Sequence, residues 1–323
     1  MKKQKKRKAL FAAALVVIIL AALICFLSMG IFRQEMMLRE VIQVSLAEDA
    51  IYIVDLDDGE DEYRIIRSDT DGREGAAICF DQYDSESSRH IRQIFRGDDG
   101  EAYVYVVSVD LETAEEKAAA IYRCDFDGSC LEATDYDLSA QTGDRMQFQG
   151  IRDGVLYYFD IPETDDSSEV RVCALDPGGQ PRVLDSITLT YNGLMSQFFL
   201  SENQTLLWMD YTGTVHIRPV GQEEETVLEG ITDRSGSFMN LSDDGGNLAF
   251  VTDHEENLIR VIHLDTMETD VLFTDAETEF SLADVSCTDC TANGFVTVSD
   301  EGGLYVRTDD QAQYIDIVHL SSA

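Results

Sequence analysis

One pattern occurs six times between Val41 and Leu320, in which short apolar strands are separated by acidic turns that contain glycine. Each copy is about 40 to 55 residues long and provides four strand candidates. The copies align best over residues 63–72, 121–128 and 172–178, where a strand ends in an Asp-Gly or Pro-Gly turn. A repeat of this length and composition predicts a β-propeller in which every copy forms one blade.

The six blocks account for the chain from residue 41 to its last residues. They cover residues 41–80, 91–136, 146–187, 195–228, 237–273 and 283–320. We therefore predict an all-β fold, a six-bladed propeller of four-stranded antiparallel blades, with a seven-bladed ring as the alternative. The repeat is unbroken and the whole chain has only four prolines, so we expect one domain over residues 41–323. Residues 111–120 have a helical composition, but they lie between two strand candidates and are expected to decorate a loop.

The fifth block resembles a known type of repeat. Residues 241–253 read LSDDGGNLAFVTD and residues 258–265 read LIRVIHLD, which is similar to the repeat of TolB-like and WD40-like propellers. The first three blocks are also similar to uncharacterised membrane-anchored extracytoplasmic propellers of Gram-positive bacteria. The chain lacks the proline that precedes Asp-Gly in the TolB-like motif and the Trp-Asp dipeptide of WD40 repeats. The resemblance implies a fold and carries over no active site.

The N-terminus predicts a membrane anchor. Six basic residues lie in a stub at positions 1–8, and residues 9–29 form an uncharged apolar stretch. As a helix this stretch would be about 31 Å long, enough to span a hydrocarbon core. The positive-inside rule places the stub in the cytoplasm and the propeller outside the cell, after a connector over residues 30–40. The alternative is a cleaved secretory signal and a secreted domain, since Ser28 and Gly30 provide small residues near a cleavage point.

Charge restricts the partners of the exported part. After the stub there are 18 basic and 62 acidic residues, a formal charge of −44, and Lys117 is the only lysine. Such a surface repels the phosphates of nucleic acids. We therefore expect no nucleic-acid partner.

Motifs for catalysis and for cofactor binding are missing from the sequence. It contains no Gly-x-Ser-x-Gly, no phosphate-binding glycine loop and no His-Glu-x-x-His. The Asp-Gly turns lack the ligand spacing of an EF-hand, and the cysteines do not form two zinc-type pairs. We predict no catalytic residue, no cofactor and no metal ligand.

Six cysteines lie in the exported part, where disulfides persist. Cys124 and Cys130 flank one turn, and Cys287 and Cys290 form a C-x-x-C pair. We predict a bridge between Cys124 and Cys130 or between Cys287 and Cys290.

The anchor, together with a repeat that carries no catalytic motif, favours a binding or scaffold module for a protein or glycan partner in the cell envelope. No motif in the sequence assigns ligand-binding residues. The alternative is an extracytoplasmic hydrolase or lyase that uses paired carboxylates at the mouth of the central channel.

Overall fold

The computed structural model describes residues 41–46, 50–57, 60–69, 74–138, 145–161, 168–189, 197–210, 213–230, 239–241, 248–253, 258–273, 294–299, 302–308 and 315–322. The chain divides into two compact units, Met1–Met36 and Met37–Ala323, and all the described residues belong to the second. The predicted stub, anchor and connector lie outside these ranges, as do Cys287 and Cys290. Within the ranges, no helix has the length and apolar character needed to cross a membrane.

Four blades, each a separate four-stranded antiparallel sheet, follow one another along the chain. The first contains β1 (Val41–Leu46), β2 (Ile51–Asp57), β3 (Glu62–Ser68) and β4 (Glu74–Asp81). The second contains β5 (Ser87–Arg96), β6 (Ala102–Asp110), β7 (Glu116–Asp125) and β8 (Cys130–Ala133). The third contains β9 (Arg145–Arg152), β10 (Val155–Ile161), β11 (Ser168–Leu175) and β12 (Arg182–Leu189). The fourth contains β13 (Gln197–Leu200), β14 (Thr205–Met209), β15 (Val215–Pro219) and β16 (Thr226–Leu228).

The rest of the described chain forms one seven-stranded sheet in the order β17-β18-β19-β20-β23-β22-β21. Its members are β17 (Met239–Leu241), β18 (Leu248–Asp253), β19 (Leu258–His263), β20 (Thr269–Phe273), β21 (Gly294–Ser299), β22 (Gly302–Thr308) and β23 (Ile315–Ser322). Leu272 and Phe273 at the end of β20 pair with Ser322 and Ser321 at the end of β23.

A propeller of four-stranded antiparallel blades is confirmed, but the predicted number of blades is wrong. The described residues form four separate four-stranded blades, not six, because the pairing of β20 with β23 continues one hydrogen-bonded ladder from the fifth block into the sixth. The predicted first strand of the sixth block, residues 283–287, lies outside the described ranges.

The first strands of the first five blocks, together with β21 of the sixth, lie side by side around the centre. β1 contacts β5, β5 contacts β9, β13 contacts β17, β17 contacts β21, and β21 contacts β1. Between β9 and β13, Gln147 Nε2 donates to the Phe198 carbonyl oxygen over 3.1 Å. The sheets therefore surround a common axis, as in a propeller.

Neighbouring sheets pack face to face through apolar side chains. Tyr52 and Val54 of the first blade lie in one cluster with Val104 of the second, and Phe148 and Tyr158 of the third blade pack against the other face of the second. Further clusters join the third blade to the fourth and the fourth to the seven-stranded sheet. The second strands of the four blades have buried side chains on both faces, which explains their continuous apolar sequences.

Side-chain amides join the inner strands of adjacent blades. Gln93 on β5 donates from Nε2 to the Phe148 carbonyl oxygen (2.8 Å) and accepts the Phe148 N–H at Oε1 (2.9 Å). Gln149 on β9 accepts the N–H of Leu200 on β13 at 3.0 Å. Inner strands are edge strands whose backbone groups need partners. The glutamines supply those partners, and we call this arrangement the amide clasp.

Residues 111–120, which have a helical composition, begin as a turn at Leu111 and continue into β7 from Glu116. Ala118, Ala119 and Ala120 pair with Ser108, Val107 and Val106 of β6. Cross-strand pairing thus outweighs the intrinsic helix preference of alanine and glutamate.

Candidate functional site

The second blade is longer than the other three at one end. β5, β6 and β7 have 10, 9 and 10 residues, whereas the first three strands of the other blades have four to eight. The added length carries the β6–β7 turn, where Ser87 pairs with Asp110 and Val109 pairs with Glu116. We call residues 82–88 and 108–118 the extension.

One carboxylate organises the β6–β7 turn. Asp110 accepts the backbone N–H groups of Glu112 and Thr113, both at 2.8 Å, and Lys117 Nζ lies 2.8 Å from its Oδ2. The hydrogen bond from Lys117, with those from the two backbone groups, holds the pKa of Asp110 well below its usual range. The same hydrogen bond raises the pKa of Lys117. Lys117, the only lysine after residue 8, is thus the charged partner of Asp110 inside this turn.

A second turn of the extension is built the same way. Asp84 accepts the N–H groups of Glu86 (2.9 Å) and Ser87 (2.7 Å) and the Ser87 hydroxyl (2.7 Å). The backbone hydrogen bond from Glu86, followed by those from Ser87, lowers the pKa of Asp84. Aspartate in this role fixes a turn through its own neighbouring backbone.

The two turns are tied to each other. Lys117 Nζ donates to the Glu86 carbonyl oxygen over 3.2 Å, and the Leu111 N–H donates to the same oxygen over 3.3 Å. These hydrogen bonds hold both turns of the extension in one arrangement. Binding at this surface would therefore cost less conformational entropy than binding at a loose loop.

Two large apolar side chains are exposed on this ordered surface. Leu111 is 51% exposed and Tyr83 is 45% exposed. Among the described residues, the other large apolar side chains exposed to this degree are Val183 and Val227, which lie on the outermost strands of the third and fourth blades. The extension alone combines two such side chains with two braced turns.

The predicted disulfide residues of the second blade lie on opposite faces of that blade. Asp125 pairs with Cys130 and Cys124 pairs with Leu131, so alternation directs Cys124 into the core and Cys130 outward. Both cysteines are free thiols in the structure, Cys124 buried and Cys130 exposed. This register argues against the Cys124–Cys130 bridge, while the bridge between Cys287 and Cys290 stays a prediction.

The buried carboxylates of the described chain face arginines. Asp55 on β2 lies 3.7 Å from Arg64 Nε, and Asp160 on β10 lies 2.6 Å from Arg171 Nη2. In both blades the arginine is directly opposite the aspartate on the third strand. Burial raises the pKa of Asp160, and the charge of Arg171 opposes that rise. This repeated pairing is typical of a structural ion pair, and the two carboxylates belong to different blades.

Among the described residues, no group of three or more His, Cys, Asp or Glu side chains is placed to hold a metal ion.

The sequence analysis assigned no function to the residues of the extension. The available signal was the length of the second block between its second and third strands, where the chain inserts LETAEEK at 111–117.

The sequence matches no protein-family model and no curated protein. Solved structures with a similar fold include an α-L-arabinanase of Penicillium chrysogenum, with 9% identity over 88% of this chain and 93% of that chain and a TM-score of 0.46. They also include the WD40 repeats of RRP9, with 12% identity over 87% of this chain and 94% of that chain and a TM-score of 0.42. A puromycin-hydrolyzing peptidase of Mycobacterium tuberculosis shares 13% identity over 88% of this chain, with a TM-score of 0.42, and this chain spans 46% of its length. At these identities and scores, no activity or partner is transferred.

Proposed function

We propose that this chain is a membrane-anchored extracytoplasmic propeller that acts as a binding or scaffold module for a protein partner in the cell envelope. The observation that carries the proposal is the braced extension of the second blade, which presents Tyr83 and Leu111 on turns held by Asp84 and Asp110. Exposed apolar side chains on preordered turns can be covered by a protein partner at a low cost in entropy. A glycan partner is the alternative.

The tether belongs to the same proposal and is supported by the sequence. Residues 9–29 are uncharged and apolar, and the basic stub precedes them, which favours a cytoplasmic N-terminus and an external propeller. Adding a protease to intact cells tests this arrangement. We expect the propeller to be degraded while an N-terminal tag stays protected and membrane-bound. A propeller released into the medium would support the cleaved signal instead.

Docking at the extension is tested by chemical cross-linking of the full-length chain in its native membrane. Leu111→Asp places a charge at the exposed tip without touching the hydrogen bonds of the turn. Val183→Asp is the matched control, because Val183 is exposed to a similar degree, 56%, on another blade. We expect Leu111→Asp to lose a cross-linked protein that the wild type and Val183→Asp both retain. Equal capture by all three chains would overturn the assignment of the surface, and a captured glycan would favour the alternative partner.

A further inference from the structure

The charge of the extension is strongly one-sided. Its exposed residues include five carboxylates that make no ion pair within the extension, namely Asp84, Glu86, Glu112, Glu115 and Glu116. Its one basic side chain, Lys117, is matched by Asp110. The two turns that carry Tyr83 and Leu111 therefore have a net charge of about −5, and Arg89, which follows the first turn, interacts with Asp84.

We propose that the extension docks a basic segment of its protein partner, in which lysine or arginine side chains flank an apolar side chain that covers Leu111 and Tyr83. This inference rests on the proposed function and names the chemistry of the partner at that surface. Charge complementarity favours such a partner, because an acidic segment would be repelled by the carboxylates of the extension and a neutral segment would leave them unpaired.

The two parts of the surface have different physical roles. The apolar pair supplies affinity, because covering half-exposed side chains removes apolar area from water. The carboxylates supply orientation and association rate, because exposed charges act over about one Debye length, which is about 8 Å at physiological salt. The charge of −44 on the exported part adds attraction for any cation at longer range. A test must therefore separate the extension from the overall charge.

The test uses the full-length chain in micelles of a neutral detergent and three fluorescent peptides. The first peptide has about 12 residues with lysines around one central leucine, the second replaces that leucine with serine, and the third replaces the lysines with glutamates. We expect the first peptide to bind most tightly, and its Kd to rise about tenfold when NaCl is increased from about 50 to about 500 mM. The third peptide should not bind.

Charge reversal at the extension is the decisive change. Glu112→Lys/Glu115→Lys/Glu116→Lys leaves Asp110 and Lys117 intact, and we expect it to weaken binding of the first peptide by about tenfold or more.

The matched control reverses the same number of charges on the fourth blade, with Glu223→Lys/Glu224→Lys/Glu229→Lys, all at exposed positions. We expect this control to weaken binding by about threefold at most. Circular dichroism shows whether both triple variants keep the fold.

Two results would overturn the inference. Equal weakening by the two triple variants would mean that the overall charge attracts the peptide, and equal binding of the leucine and serine peptides would mean that the apolar centre plays no part. Failure of the proposed function is a separate result, since it is seen when Leu111→Asp still captures the native partner. A native partner that is lost on Leu111→Asp, but that contacts the extension with an acidic or neutral segment, refutes this inference alone.

Discussion

Replacing Arg171 with methionine tests whether the buried pair on the third blade stabilises the propeller as a matched unit. Asp160 is 3% exposed and its Oδ2 lies 2.6 Å from Arg171 Nη2. Methionine keeps much of the apolar volume of the arginine stem and removes only the charge and the hydrogen bonds. The Asp160 carboxylate would then be buried without its cation.

The expected loss of stability is large for a single substitution. Removing one member of a buried pair costs about 3 to 5 kcal/mol, because the remaining charge is not solvated. The Arg171 side chain is 33% exposed, so water reaches part of the site and we expect about 3 kcal/mol at about pH 7. For a domain of this size, that corresponds to a fall in Tm of about 6 °C.

The double variant Asp160→Asn/Arg171→Met separates a lost contact from a buried charge. Asparagine is neutral and has nearly the shape of aspartate, so the double variant should be destabilised by only about 1 kcal/mol. Arg182→Met is the matched control in the same blade, because Arg182 lies 3.8 Å from Asp176 and both side chains are about half exposed. We expect that control to change stability by less than about 1 kcal/mol.

The effect should depend on pH in a defined direction. Burial raises the pKa of Asp160, and Arg171 is the group that opposes the rise, so its removal raises the pKa further. A folded-state pKa above the unfolded value of about 3.9 means that the folded chain takes up the proton first as the pH falls. The deficit of Arg171→Met should therefore be larger at about pH 7 than at about pH 5.

The assay is urea and thermal unfolding of the full-length chain followed by tryptophan fluorescence. Trp208 is the only tryptophan of the chain, and it is buried in the cluster between the third and fourth blades. If Arg171→Met loses less than about 1 kcal/mol, or if the double variant is no more stable than Arg171→Met at about pH 7, the reasoning about a buried charge is refuted.

Three further outcomes are expected. Gln93→Leu removes both bonds of the amide clasp to Phe148 and should destabilise the chain by about 1 to 3 kcal/mol in urea unfolding, and an unchanged midpoint would contradict the clasp. Gly150→Ala should destabilise it by about 1 to 3 kcal/mol, because Gly150 has φ 119° and an added Cβ would lie 2.9 Å from a carbonyl oxygen, which a thermal melt checks. Exposed Cys130 should react with a maleimide in the native chain. Cys124 is buried, and burial raises the pKa of its thiol to about 12, so it should react only after unfolding. Peptide mass mapping of the labelled chain checks both expectations.

Much of the fold follows from local patterns in the sequence. The first block was predicted over residues 41–80, and the first blade runs from Val41 to Asp81, because apolar strands and the acidic turns between them are local signals. The number of blades was not accessible in this way. It depends on the pairing of Phe273 with Ser321, a contact between distant segments that no local pattern encodes.

The extension could not be predicted from the sequence for a related reason. Residues 111–117 contain helix-favouring alanine and glutamate, but Asp110 accepts the N–H groups of Glu112 and Thr113 and β6 pairs with Glu116. The backbone of Leu111 is held by the hydrogen bond from its N–H to the Glu86 carbonyl oxygen, which belongs to a different turn. Composition predicted that residues 111–120 decorate a loop, whereas the bracing of two turns by Lys117 is a property of the folded blade.

The amide clasp has a consequence for how such a chain changes over time. Gln93 contacts the backbone N–H and carbonyl groups of Phe148, and every residue except proline offers both groups. Position 148 can therefore mutate without loss of the junction, provided that the side chain still fills the core. The second and third blades, and the third and fourth, are thus joined by hydrogen bonds between glutamine side chains and backbone groups. Because such bonds do not depend on the side chain of the bonded residue, these blades can diverge in sequence and stay joined.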